Sequence, residues 1–176
     1  MGDSAMTIVA IFLAAILMFV FPLMTMADKE DDVSTSSIQT ATTEFVDSVR
    51  ATGKLTQDDY DNFVLTLAAT GNSYDVEITI QVLDENPSKK SSSGTTTIGD
   101  NVYYTMYTTQ VLAELDDTED GVDYMALKEG DIISVSVENT NTTIAQQLRN
   151  FLYKVVGSDS STIAASASGI VTATAN

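Results

Sequence analysis

An uninterrupted apolar run lies near the start of the chain. Residues 5–27, AMTIVAIFLAAILMFVFPLMTMA, contain no charged side chain, and Thr7 and Thr25 carry the only hydroxyl groups in the run. A helix of this length measures about 34 Å, which is enough to cross a hydrocarbon core of about 30 Å. The pattern therefore predicts a membrane-spanning helix.

A cleaved secretory signal is the alternative interpretation of this run. Thr25-Met26-Ala27 loosely resembles a small-residue cleavage site, after which Asp28 would begin the mature chain. However, residues 1–4 contain no Lys or Arg, and the run is longer than the apolar part of a typical signal. These two features favour the spanning helix.

Beyond the apolar run the pattern becomes amphipathic. Apolar residues recur at steps of three and four, the spacing of one helical face, at Ile38, Ala41, Phe45, Val46 and Val49. No Gly or Pro lies between Leu23 and Thr52, so we expect one helix to continue to Thr52 and to end at Gly53. Residues 1–27 are then a transmembrane or filament-core helix, and residues 28–52 are an amphipathic stalk.

Two further helices are predicted from their capping residues. Thr56 precedes two first-turn carboxylates, which favours a helix start at that point. The expected buried stripe of this helix is Tyr60, Phe63, Val64, Leu67 and Ala68. Residues 141–143 precede a last helix, in which Thr143 and Gln146 have the spacing of a capping box and Ile144 begins the apolar stripe.

The remaining elements of residues 53–176 are strands and one mixed segment. Alternation of apolar and polar residues predicts strands over residues 75–82 and 132–138. Residues 102–107 pass from a candidate strand into a helical stretch in which Tyr107, Val111 and Leu115 share a face, and periodicity does not define the boundary between the two. Residues 162–174, rich in Ala, Ser and Thr, are expected to form a closing strand that can sit tightly against a helix. The order predicts an α+β head, with helices packed on one face of a small, mostly antiparallel sheet.

The charge and the missing residue types limit the chemistry. The chain has 25 acidic and 8 basic residues, a net charge of -17, which argues against a nucleic-acid partner. The absence of Cys and His excludes disulfides, thiolate chemistry and imidazole-based catalysis. The lysines are scattered and the carboxylates fall in loops or on outward strand positions. We therefore expect no enzyme activity.

One acidic segment is a candidate calcium site. Asp116, Thr118, Asp120 and Asp123 place oxygen atoms at intervals typical of the start of a calcium loop. The bidentate Glu that such a loop needs at its end is missing, because Leu127 falls there. A solvated acidic turn explains the same residues, and we expect no other cofactor.

Features of the apolar helix suggest more than anchoring. Ala10 and Ala14 form a small-xxx-small pair, which lets a second helix approach closely in lipid. Pro22 removes a backbone donor and predicts a kink. Asp3 is the only charged side chain before residue 28, and it could cap the helix or pair with the amino terminus of a neighbouring subunit.

The layout resembles that of type IV pilins and pseudopilins, which carry an apolar N-terminal helix behind a very short leader and continue through a stalk into an α+β head. Residues 44–82, EFVDSVRATGKLTQDDYDNFVLTLAATGNSYDVEITIQV, are also similar to pseudopilin-like proteins of Gram-positive bacteria, some related to tight-adherence (Tad) pilus components. In such a subunit a peptidase would cut after Gly2. The basic leader is absent, however, and Thr7 stands where a cleaved pilin carries a glutamate, which leaves Asp3 as the only carboxylate able to substitute. An uncleaved pseudopilin would tolerate both departures.

The resemblance implies a structural subunit of a pilus-like filament or secretion-type apparatus. Its partners would be copies of itself, bound through their N-terminal helices, other components of the apparatus, and the membrane. We expect the N-terminus in the cytoplasm and the C-terminal domain outside, because the composition after residue 30, rich in Ser and Thr and poor in Lys, fits an extracytoplasmic surface. The flanking charge decides little here, since long domains translocate largely regardless of it. The alternative is a monomeric, membrane-anchored extracellular binding module or adhesin.

Overall fold

The fold combines one very long helix with two antiparallel sheets and shorter helices. The computed structural model describes residues 2–83, 103–116, 124–144, 146–147, 150 and 164–175. The elements in chain order are α1 (Gly2–Thr52), β1 (Lys54–Thr56), α2 (Gln57–Ala68), β2 (Tyr74–Leu83), β3 (Tyr103–Tyr107), α3 (Thr108–Asp116), β4 (Tyr124–Ala126), β5 (Ile132–Asn139) and β6 (Ala164–Ile170). This arrangement confirms the predicted α+β class.

The first element, α1, is a single helix of 51 residues. It ends where the sequence predicts, because Gly53 adopts a φ of +67° and its N–H donates to the carbonyl of Val49 at 2.8 Å. Pro22 lies inside α1 without interrupting it, and the kink expected there stays a prediction. The apolar segment and the stalk are therefore one continuous rod.

The start of α2 has the predicted cap. The backbone N–H of Asp59 donates to Thr56 Oγ1 at 3.0 Å, and the N–H of Thr56 donates to Asp59 Oδ2 at 3.3 Å. These two bonds form a capping box, in which each residue satisfies an otherwise unpaired donor of the other.

The buried face of α2 is narrower than predicted. Phe63 and Leu67 are buried, but Val64 and Ala68 are exposed. The helix packs on α1 along one line, where the rings of Phe45 and Phe63 stack with centroids 4.5 Å apart. A contact along one line covers only the side chains on that line, so the outer members of the predicted stripe remain in solvent.

The main sheet has the strand order β3-β2-β5-β6, with every neighbouring pair antiparallel. The register of β2 and β5 places Ile78 opposite Val135, as the alternation in both strands requires. A second sheet of two strands pairs β1 with β4, with Leu55 opposite Met125. Strands of three residues carry too little alternation to be recognised in the sequence.

One face of the main sheet forms the core and the other is polar. The core cluster joins the inward residues of the strands to the buried faces of the helices: Ile38, Phe45, Val46, Val49, Phe63, Leu67, Ile78, Ile80, Val111, Leu115, Ile133, Val135, Val137 and Ala165 are among its members. The opposite face carries Glu77, Thr79, Ser134, Ser136, Ser166 and Ser168. The helices thus pack on one face, as predicted.

Two residues of the predicted helical faces, Tyr107 and Ile144, are exposed. Tyr107 is 63% exposed because it is the last residue of β3 and lies opposite Thr79 on the polar face, so it precedes the helix that buries Val111. Ile144 is also 63% exposed, at the start of the last helical segment. The other apolar residues predicted for that stripe lie outside the described residues.

Candidate functional site

Within the part of the chain that the structure describes, the N-terminal half of α1 makes no buried contact with the head. From Ala5 to Met26 its side chains are exposed or partly exposed, including Met18 at 77% and Phe19 at 76%. This helix is long and apolar enough to cross a membrane, and none of its most apolar window is buried. The chain therefore presents a long apolar surface that water does not favour.

The four residues predicted to serve assembly all lie on this unpacked half. Asp3 is in the first turn, and its carbonyl accepts a hydrogen bond from Thr7 Oγ1 at 2.7 Å. Ala10 and Ala14 are both exposed and lie one turn apart, so their shared face is accessible. Pro22 is also exposed. The structure does not gather the four into one site, since they are spread along the helix axis.

Hydrogen bonds join the C-terminal half of α1 to the head at three positions along the helix axis. Near its start, Thr143 Oγ1 donates to Asp31 Oδ2 at 3.1 Å. Farther along, the side-chain amide of Gln39 donates to the carbonyl of Ser166 at 3.1 Å. Near the end of α1, Arg50 Nε donates to the carbonyl of Ile170 at 2.8 Å. The head is therefore attached along most of the stalk, and its position relative to the apolar half is fixed.

The small residues of β6 permit this close attachment. Ala165 is buried against the core, and a Cβ on Gly169 would collide with the side chain of Arg50. Among the described strands β6 lies at the edge of the sheet, and the side chains of Gln39 and Arg50 supply donors to two of its carbonyls. The predicted tight fit between the closing strand and a helix is confirmed.

The residues after β6 fasten the end of α1 to the rest of the head. The N–H of Thr172 donates to the carbonyl of Arg50 at 3.0 Å, and the N–H of Ala175 donates to the carbonyl of Leu127 at 3.1 Å. A Cβ on Gly53 would strike the carbonyl oxygen of Ala173. The junction therefore requires glycine for two reasons, its left-handed backbone and the close approach of this segment.

Asp131 is a buried carboxylate that sequence reasoning treated only as part of a turn. It is 2% exposed, and its two oxygens accept from the N–H groups of Leu83 and Lys128, each at 2.9 Å. The N–H of Val171 donates to its carbonyl at 2.8 Å. Asp131 thus joins the ends of β2 and β6 to the start of β5. The turn pattern Lys128-Glu129-Gly130-Asp131 gave no signal for this long-range role.

A small polar pocket lies at the end of the head nearest the apolar half of α1, and we call the residues that line it the base of the head. Its lining comes from α1, from the loop after α2 and from the segment after β5: Ala27, Glu30, Asp31, Gly71, Asn72 and Asn141–Ile144. Thr143 also caps the last helical segment, where its hydroxyl accepts from the N–H of Gln146 at 3.2 Å and Gln146 Oε1 accepts from the N–H of Thr143 at 3.2 Å. The predicted capping box is confirmed.

Asn141 begins an Asn-Thr-Thr glycosylation pattern, and both the oxygen and the nitrogen of its side-chain amide form hydrogen bonds. Its Oδ1 accepts from the N–H of Ser73 at 2.8 Å, and its Nδ2 donates to Asn72 Oδ1 at 3.1 Å. The amide nitrogen that would carry a glycan is thus part of the contact between the loop after α2 and the segment after β5.

The calcium hypothesis rests mainly on residues outside the described part of the chain. Asp116 is the exposed last residue of α3. Thr118, Asp120 and Asp123 lie outside the described residues. Within the described ranges, no three His, Cys, Asp or Glu side chains come together to hold a metal. The calcium site stays a prediction.

No protein-family model, curated protein or solved structure matches the chain.

Proposed function

We propose that this protein is a pilin-like structural subunit, anchored in a membrane by α1 and able to assemble with copies of itself into a surface filament or secretion-type apparatus. The observation that carries the proposal is the division of α1, whose apolar half is unpacked while the other half is clamped along the head. An unpacked apolar helix needs an apolar environment, and both lipid and a bundle of identical helices provide one.

The energetics of the two environments support an exchange between them. Moving the apolar half from lipid into a helix bundle changes its burial from water very little, so packing and polar contacts decide the balance. The exposed face of Ala10 and Ala14 lets a neighbouring helix approach closely. Asp3 near the helix start offers a carboxylate for a neighbouring amino terminus.

The three hydrogen bonds between α1 and the head suit a subunit that moves as a rigid body. Attachments at Asp31, Gln39 and Arg50 extend over about 28 Å of helix. A displacement of the helix along its axis is therefore passed directly to the head. In the proposed topology the N-terminus is cytoplasmic and the head is extracytoplasmic.

Negative-stain microscopy of sheared cell-surface material tests the proposal. We expect filaments that contain the chain. A strictly monomeric membrane fraction would refute assembly and would favour the membrane-anchored binding module or adhesin instead.

A pair of substitutions makes the test specific to the small-residue face. Ala14→Leu fills the face shared with Ala10 while keeping the helix apolar, so we expect filament yield to fall and membrane insertion to persist. Ala15→Leu makes the same chemical change about 100° away around the helix and serves as the control. Equal filament yield from both variants would contradict a role for the face.

Asp3→Ala tests the proposed charge pairing. Assembly should be lost while insertion is retained, and Ser4→Ala should leave both unchanged. Normal filament yield from Asp3→Ala would remove the assembly role of this carboxylate.

A further inference from the structure

The base of the head lies directly where the apolar surface of α1 ends. Met26 is 72% exposed, whereas Ala27 is 7% exposed and lines the pocket at the base. Less than one helical turn therefore separates the unpacked apolar half from the first buried contact with the head. A head attached at this position has no spacer between itself and the surface of a bilayer that α1 crosses.

The direction of β6 relative to α1 defines the two ends of the head. Gln39 contacts Ser166 and Arg50 contacts Ile170, so β6 runs in the same direction as α1. Ile170 thus lies beside Arg50, about 35 Å along the helix axis from Ala27. The base faces the apolar half, and the end of the head near Ile170 faces away from it.

The side chains at the base suit the interface between water and hydrocarbon. Ile144 projects an apolar side chain that is 63% exposed. Around it, Asn72, Asn141 and Thr142 supply neutral hydrogen-bonding groups. An exposed aliphatic side chain close to polar groups, here amides, hydroxyls and the carboxylates of Glu30 and Asp31, can lie at the boundary between headgroups and acyl chains.

We propose that the base of the head is a membrane-contacting surface, on which Ile144 enters the headgroup region of a zwitterionic lipid surface beside α1. The proposal rests on the membrane-spanning role given to α1 under Proposed function. The lipid is expected to be zwitterionic because Glu30 and Asp31 bring carboxylates to the pocket and the chain has a net charge of -17. Anionic headgroups within a Debye length of about 8 Å would be repelled.

The bond between Thr143 and Asp31 gives this contact a mechanical consequence. It joins the residue before Ile144 to α1 one turn after Ala27. The base therefore keeps its height relative to the apolar half, and the head leaves the lipid surface only when α1 itself moves outward.

Because the chain contains no cysteine, single Cys variants of the full-length protein report on one position each. Ala10→Cys, Ile144→Cys and Ile170→Cys, each carrying a polarity-sensitive fluorophore, are reconstituted in phosphatidylcholine vesicles. Nitroxide quenchers are placed either on the acyl chain or on the headgroup. Ile170 is the matched control for Ile144, since it is an isoleucine of similar exposure, 55%, at the opposite end of the head.

We expect the label at position 144 to lose emission with the headgroup quencher and the label at position 170 to keep its emission. The label at position 10 should be quenched from the acyl chain. Equal emission at positions 144 and 170, with position 10 quenched, would overturn the membrane-contacting base and leave the anchor intact. An unquenched label at position 10 would instead refute the membrane-spanning helix of the proposed function.

Partial replacement of phosphatidylcholine by phosphatidylglycerol tests the lipid charge. We expect weaker quenching at position 144 as the anionic fraction rises. Stronger quenching would overturn the proposed preference for a zwitterionic surface.

Discussion

The junction between α1 and the head gives the sharpest prediction, because two glycines with similar backbones have different surroundings. Gly53 and Gly71 have φ of +67° and +81°, and each follows the end of a helix. A Cβ on Gly71 would meet nothing within 4 Å, whereas a Cβ on Gly53 would strike the carbonyl oxygen of Ala173 and lie 2.9 Å from the nitrogen of Ala175. Replacing each by Ala therefore separates backbone strain from the clash.

The expected losses of stability differ by several kcal/mol. Both substitutions force a residue with a Cβ into the left-handed region, at a cost of about 1–2 kcal/mol. Only Gly53→Ala must also displace the backbone of residues 172–175. Three hydrogen bonds donated by backbone N–H groups hold that segment, from Thr172 to the Arg50 carbonyl, from Ala175 to the Leu127 carbonyl, and from Glu129 to Thr174 Oγ1. At about 1 kcal/mol each, their loss adds about 3 kcal/mol and brings the total for Gly53→Ala to about 4–5 kcal/mol.

Urea unfolding of the full chain in detergent, followed by tyrosine fluorescence, measures both values. A chain ending at Val171 provides a second control, because the obstacle to the Cβ is then removed. In that background we expect Gly53→Ala to cost only about 1–2 kcal/mol, as Gly71→Ala does. Equal losses for Gly53→Ala and Gly71→Ala in the full chain would show that the C-terminal segment does not fasten the junction.

Three further predictions concern the head. Phe45→Ala removes the ring stacked on Phe63 and should lower the free energy of unfolding by about 3–5 kcal/mol in urea titrations; a loss below about 1 kcal/mol would contradict tight packing between α1 and α2. Asp131→Asn replaces one accepting oxygen by a donor facing a backbone N–H, so a loss of about 1–3 kcal/mol is expected in the same assay, and an unchanged midpoint would argue against the two bonds. Burial, together with the nearby carboxylates of Asp61 and Asp75, raises the pKa of Tyr60 above its ordinary value of 10.0. The neutral phenol therefore contributes fully to the stability of the folded state below pH 10.0, and this contribution falls as the pH rises through the pKa of the folded state. Tyr60→Phe should reduce the loss of stability at alkaline pH, and an ultraviolet titration showing an ordinary phenol pKa at Tyr60 would refute this.

Local pattern determined much of the fold. Periodicity, with no Gly or Pro from Leu23 to Thr52, defined α1, Gly53 defined its end, and Thr56 defined the start of α2. The alternation in β2 and β5 defined which side chains face the core. These features depend on residues close together in the chain, so the sequence displays them directly. The exposed apolar half of α1 was equally evident in the sequence, because apolar residues occupy every face of the helix there.

The tertiary structure decided what depends on residues far apart. Asp131 is a buried link because β2 and β6 end beside it, and Ile144 is exposed because the base of the head is where the packing stops. The closeness of Ala27 to that base likewise results from the attachment of Asp31 to Thr143, which are separated by 112 positions. Periodicity shows only which face of one helix or strand is apolar. Packing between elements decides which element covers that face and where along the axis of α1 it does so.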